Sequence, residues 1–188
     1  YRVVIDCDYQ YYVAKGRSVA ACEAAANIAF NSMYPVYLRD FGISLENAGV
    51  TVNTTDSDGY TMPPNTAGIL NEVIAKWSAP ALKQQYNPHS VVLLSGRITN
   101  TTLGGFSYQN SYCLPGASAV NGLALLNDQE TLNKTMAHEL AHTLGADHDN
   151  VYSPAYLGYL MSSTITAGTL YAFSPCSIFK VTADRRSS

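Results

Sequence analysis

The stretch His138-Glu139-Leu140-Ala141-His142-Thr143-Leu144-Gly145-Ala146-Asp147-His148-Asp149 constrains this chain more than any other. It reads H-E-x-x-H-x-x-G-x-x-H-D. On a helix, residues four apart leave the same face with Cβ atoms about 5–6 Å apart. His138 and His142 can therefore grip one ion, and zinc, with Zn–N bonds of about 2.0–2.1 Å, suits two imidazoles so placed. Glu139 is turned by about 100° around the axis, so it can stand beside a metal as a base without ligating it. Gly145 can take the left-handed conformation that ends a helix, which lets the chain turn and return His148 as a third ligand. Three protein ligands with one open position define a catalytic rather than a closed structural zinc site. The plainer alternative is an amphipathic helix that happens to carry histidines. Histidine usage argues against it, because three of the chain's four histidines fall in this motif. The fourth, His89, is read as structural.

At 188 residues the chain is read as one domain with room for a sizeable core. Charged residues make up only 13%, which argues against long disordered tails. A net charge of −3 gives no reason to expect nucleic acid or an anionic membrane as partner. No apolar run approaches the roughly 18 residues of a membrane span. The sequence opens on strand-like residues with no signal segment in view, so secretion implies that a leader and any pro-segment are removed. Four cysteines, Cys7, Cys22, Cys113 and Cys176, form no C-x-x-C pair and do not neighbour the histidines. Their even number predicts two disulfides in an oxidising compartment, with all three pairings open; buried free thiols are the alternative. Sequons at Asn53, Asn100 and Asn133 are candidate glycosylation sites and weakly favour secretion.

Strand and helix signals alternate. Arg2–Asp8 reads as a central strand, and Ser18 as the cap of a helix running to about Leu38, with Pro35 expected to kink or shorten it. Gly49–Asn53 reads as a second strand and Thr54–Asn65 as a surface loop. Helical spacing covers Thr66–Trp77, Pro80 opens a short helix to Tyr86, and His89–Gly96 is a buried strand. This alternation predicts an α/β layer structure with a largely parallel sheet. Gly104–Tyr108 is a candidate sheet edge, able to receive an extended peptide by strand addition, or else an ordinary hairpin. Asn127–Glu130 reads as a capping arrangement for the motif helix, whose buried face is Leu132, Met136, Leu140 and Leu144. Loops follow, with a terminal helix at Ser177–Ala183.

The motif resembles the metzincin clan of zinc endopeptidases. Asp149 after the third histidine is similar to the reprolysin (adamalysin) family, and the compact chain looks most like small arthropod venom or salivary members. Val91–Gly96 resembles a central strand of that family. Gly105, Phe106, Ser107 and Tyr108 resemble its substrate-binding edge strand, Leu160-Met161-Ser162 its Met-turn, and Phe173–Ser177 the segment before its last helix. The resemblance implies an α/β metzincin catalytic domain: a twisted, mixed five-stranded sheet with long helices above a small irregular C-terminal subdomain. The division would be 1–145 above and 146–188 below. It implies zinc on His138, His142 and His148, Glu139 as general base for metal-activated water, Met161 beneath the histidines, and Ser162–Thr166 as one wall of the pocket for the side chain after the cut bond. The lower-part cysteines of larger members are missing from 149–160, and the resemblance then favours Cys113–Cys176 and Cys7–Cys22. Arg2 and His89 stand where many venom members place acidic calcium ligands, so calcium is doubtful. The expected protein is a secreted, monomeric endopeptidase whose substrate binds as an extended strand. The rival is a catalytically silent, zinc-containing binding protein or toxin.

Overall fold

A computed structural model describes residues 1–61, 66–97, 104–111, 116–122, 125, 127–153 and 155–184. Five strands form one sheet in the order β2-β1-β3-β5-β4. The strands are β1 (Arg2–Cys7), β2 (Glu46–Val52), β3 (Ser90–Ser95), β4 (Gly105–Ser107) and β5 (Gly116–Asn121). β1 runs parallel to β2 and β3, and β3 parallel to β5, while β4 pairs antiparallel with β5 at the sheet edge. The mixed five-stranded sheet that the resemblance implies is thus present. β5 carries no strand signal of its own: its sequence GASAVN is small and scarcely alternates.

Side chains alternate across the sheet, as strand geometry requires. Val3, Ile5, Cys7, Val92, Leu94 and Val120 face one core, built with α2 (Val19–Phe41) and α5 (Gln129–Thr143). Val4, Val91, Leu93, Ala117 and Ala119 face the other, where Leu70, Val73 and Trp77 of α3 (Thr66–Trp77) cover them. Both faces of β1 and β3 are buried, which explains their near-continuous apolar sequence.

The helices begin and end for local reasons. The Ser18 hydroxyl accepts from Ala21 N at 3.1 Å to cap α2, and Gly42 closes it at φ 65°. Pro35 does not shorten α2, contrary to expectation. The carbonyl its ring deprives of a partner belongs to Asn31, on the exposed side of the helix. Val36, Tyr37 and Phe41 beyond it are buried and hold the last turns in place. α1 (Tyr9–Ala14), unexpected from sequence, is capped by Asp8, whose Oδ1 accepts from Tyr11 N at 2.7 Å. α4 (Pro80–Tyr86) starts on its proline. α5 is capped by Asp128, which accepts from Thr131 N at 3.0 Å. A 3₁₀ turn at Asp149–Val151 and α6 (Pro175–Asp184) are the last elements among the described residues.

A buried polar network fastens one end of the sheet. Asp6, fully buried, accepts from Thr51, Asn53, Tyr60 and Trp77 and pairs with Lys76 Nζ at 2.8 Å. Burial pushes its carboxyl up, but the Lys76 ammonium and these donors overcome that and hold it below the usual carboxylate range.

Candidate metal centre and active site

The last turn of α5 positions the histidines. Gly145 takes φ 98°, its N–H reaches His142 O at 3.0 Å, and Ala146 N reaches Ala141 O at 3.1 Å. The chain reverses there and returns as extended backbone at His148. The three Nε2 atoms of His138, His142 and His148 form a triangle with every edge 3.1 Å.

The opposite ring nitrogens explain why this triangle needs a cation. His138 Nδ1 lies 2.6 Å from Leu160 O, and His142 Nδ1 lies 2.7 Å from Ala146 O. A carbonyl can only accept, so both Nδ1 atoms carry the proton and both Nε2 atoms present lone pairs. Burial lowers the His138 pKa to about 3 and the His142 pKa to about 4, with neighbouring imidazoles adding to the effect. His148 is lowered as well, chiefly by desolvation. Two buried lone pairs converging with the third ring nitrogen form a ligand set, and zinc bonds of about 2.0–2.1 Å fit over a triangle of this size. The backbone carbonyls behind the rings fix tautomer and orientation.

Glu139 is only 4% exposed, and burial raises its carboxyl to about 8, partly offset by the Ser107 hydroxyl donating to Oε2 at 2.8 Å. Ser107 lies on β4, so the edge strand touches the carboxylate directly. A Cβ on Gly105 would stand 2.7 Å from Glu139 Cγ and 2.9 Å from Oε1. Only glycine permits this approach. Phe106 packs against the α3-side core, and the Tyr108 hydroxyl donates to Asn71 Oδ1 at 2.9 Å.

Met161 is fully buried in a turn closed by Ser162 N on Tyr159 O at 3.0 Å. The residue before it supplies the carbonyl behind His138, and Met161 O itself accepts from Asp149 N at 2.7 Å. Asp149 is buried and accepts from the hydroxyls of Ser174 at 2.5 Å and Ser177 at 2.9 Å. It therefore ties the turn after His148 to the start of α6 through side chains, partners that proximity in sequence does not reveal. Ser162, Ser163, Thr164 and Thr166 line a pocket of about 370 Å³ with Leu157, Gly158, Gly168 and Thr169.

The remaining candidates lie elsewhere. The anticipated Cys7–Cys22 bond is not formed in this structure: both are buried free thiols in mutual hydrogen-bond contact, Cys7 ending β1 and Cys22 in the first turns of α2. Cys176 is also a free thiol, and its expected partner Cys113 lies outside the described residues. The Asn53 amide donates to Asp6 and to Cys7 O, so a glycan there would displace two hydrogen bonds. Asn133 sits within α5 with Oδ1 accepting from Gln129. Asn100 lies outside the described residues. His89 Nδ1 accepts from Arg2 N, and the Arg2 guanidinium pairs with Glu46.

Comparison with known proteins agrees with this geometry. A family model described as metallo-peptidase family M12, of the reprolysin type, matches residues 1–183. The chain belongs to that family, as a reprolysin-type metzincin. It is similar to the zinc metalloproteinase-disintegrin-like atragin of Naja atra, 28% identical over 153 residues, which cover 79% of this chain and 24% of atragin. The chain thus spans about a quarter of that relative's length. No helix among the described residues is long and apolar enough to cross a membrane.

Proposed function

We propose that this chain is a secreted zinc-dependent endopeptidase, cleaving internal peptide bonds with Glu139 as general base. The observation that carries the reading is the pairing of three converging imidazole nitrogens with Glu139, which follows His138 on α5, is buried and is hydrogen-bonded through its carboxylate to Ser107 of the edge strand. Zinc, when bound, polarises the scissile carbonyl and acidifies attacking water. β4 lies at the sheet edge and can receive the substrate as a further strand, holding the peptide in register with Glu139. Burial raises this carboxyl to about 8 in the metal-free protein; a zinc ion on the neighbouring histidines would draw it back toward the ionised form, from which Glu139 can take the proton of the attacking water and pass it to the leaving nitrogen. Ser107 orients that carboxylate. His138 and His142 keep their lone pairs aimed inward through their carbonyl partners.

In this reading residues 1–145 form the upper part and 146–188 the lower. Met161 supports the histidines, and the pocket after it receives the side chain following the cut bond. Outside the cell an oxidant would join Cys7 to Cys22.

Digestion of an unstructured protein, with mapping of the new termini, tests the proposal. Internal cuts abolished by a chelator and by Glu139→Gln are expected. Release of terminal residues alone would remove the endopeptidase reading. A biological effect that survives Glu139→Gln with zinc content unchanged would favour a silent zinc-containing binding protein.

A further inference from the structure

α5 grips the segment that follows the motif at two successive turns. At His138, Nδ1 donates to Leu160 O at 2.6 Å. One turn earlier, on the same helix face, Lys134 reaches the far end of that segment. Its ammonium donates to Ala167 O at 2.8 Å, to Thr166 O at 3.4 Å and to Glu130 Oε1 at 2.6 Å.

Lys134 is 3% exposed, whereas the Glu130 side chain is 67% exposed. An ordinary i,i+4 surface pair would leave both groups in water. A lysine is seldom buried unless its charge is paired and its donors are filled. Here three acceptors meet three N–H donors, and two of the acceptors belong to one loop. The loop's other hydrogen bonds either shape its own turns, as Ser162 N to Tyr159 O, Gly158 N to Ser162 Oγ, Thr166 N to Thr169 Oγ1 and Thr169 N to Thr166 O do, or tie its start to neighbouring loop segments, as Asp149 N to Met161 O and Leu160 N to Ala172 O do. None of these bonds joins it to α5. Between the two anchor points, Leu160 and Ala167, lie Ser162, Ser163, Thr164 and Thr166, which wall the pocket.

We propose that Lys134 is a specificity-determining positioning residue: by pinning the Thr166–Ala167 end of the wall to α5, it sets which side chain the pocket accepts. The inference rests on reading that pocket as the subsite for the residue after the cut bond. The ammonium is neutralised by Glu130 and saturated by the two carbonyls, so the pocket selects by size and not by charge. Its hydroxyl walls and Leu157 suit an uncharged side chain of moderate bulk.

The test is a peptide library varied at the residue after the cut, with zinc content measured on the same samples. Lys134→Met removes the ammonium and keeps the stem. It is expected to retain zinc and to cleave, but to flatten the kcat/KM spread across that position about tenfold, the scale on which a slightly altered pocket wall discriminates. Lys134→Arg, which can still donate to the loop carbonyls, should restore most of the spread. Glu130→Gln keeps the loop bonds but leaves the ammonium uncompensated, so acidic residues after the cut should become acceptable. An unchanged profile in Lys134→Met overturns the inference; if that variant does not fold, an unchanged profile in Glu130→Gln overturns it. Ser163→Trp, which plugs the pocket, separates the two readings. If it too leaves the profile untouched, the subsite reading is what fails. If it alters the profile while Lys134→Met and Glu130→Gln do not, only the inference about Lys134 fails.

Discussion

Removing the metal should expose an electrostatic conflict that acid sharpens. Two imidazolium charges 3.1 Å apart repel by about 332/(20 × 3.1), or roughly 5 kcal/mol, at an effective dielectric of about 20. Burial first, and this repulsion second, keep the histidines of the metal-free protein neutral well below the ordinary range, His138 to about 3 and His142 to about 4. In the unfolded chain each takes a proton near pH 6.5. Between pH 6.5 and 5 the unfolded state thus binds about two more protons than the folded state, and stability falls by about 1.36 kcal/mol per pH unit for each histidine. Their contribution is fully present above 6.5 and is lost as the pH falls toward the folded values. Glu139 works in the opposite sense. Its folded carboxyl titrates at about 8 and its unfolded one near 4.5, so between those values the folded state holds the extra proton and gains stability as the pH falls. Over 1.5 pH units each group is worth about 1.5 × 1.36, or roughly 2 kcal/mol. The metal-free protein should therefore lose about 4 − 2, roughly 2 kcal/mol, from these three groups, and Glu139→Gln about 4. Urea unfolding of both chelated proteins at pH 6.5, 5.75 and 5 measures this. Subtracting the two curves cancels every other titrating group and should leave a slope of about 1.36 kcal/mol per unit. Parallel curves would refute a Glu139 that is neutral in the folded, metal-free protein.

Three further outcomes follow from single contacts. Gly105→Ala should cut kcat by about 10²-fold or more with zinc content unchanged, because its Cβ would displace the Glu139 carboxylate; steady-state kinetics and metal analysis check it. Asp6→Ala leaves the Lys76 ammonium and the Trp77 indole without their acceptor and should destabilise the fold by about 3–5 kcal/mol in urea titration. Oxidised protein from a secretory host should be 2 Da lighter than its reduced form on account of Cys7–Cys22 alone when the other two cysteines are replaced by serine. Closing that loop of about 15 residues should stabilise it by about 3 kcal/mol in a comparison of the two forms.

Much of this architecture is legible in the sequence because it is set locally. Long apolar runs mark β1 and β3, helical spacing marks α3, and Ser18 and Gly145 mark the ends they occupy. The motif specifies its own geometry, since four-residue spacing and one glycine bring three imidazoles together. What stayed hidden depends on distant partners. β5 is small-residue sequence that becomes a strand because β3 and β4 flank it. From sequence Asp149 can either accept from nearby backbone and fix the turn after His148 or stay solvated; its actual partners, Ser174 and Ser177, lie 25 and 28 residues on. Lys134 becomes a buried anchor only through the return of Thr166 and Ala167, 32 and 33 residues on. The Ser107–Glu139 bond likewise joins residues 32 apart.

The most direct test of the account is an anomalous-difference map at the zinc edge, from crystals of protein grown without added metal. One peak within about 2.1 Å of all three Nε2 atoms, with its remaining position open to solvent beside Glu139, is the predicted result. Imidazoles pointing apart, or a fourth protein atom filling the position next to Glu139, would contradict it.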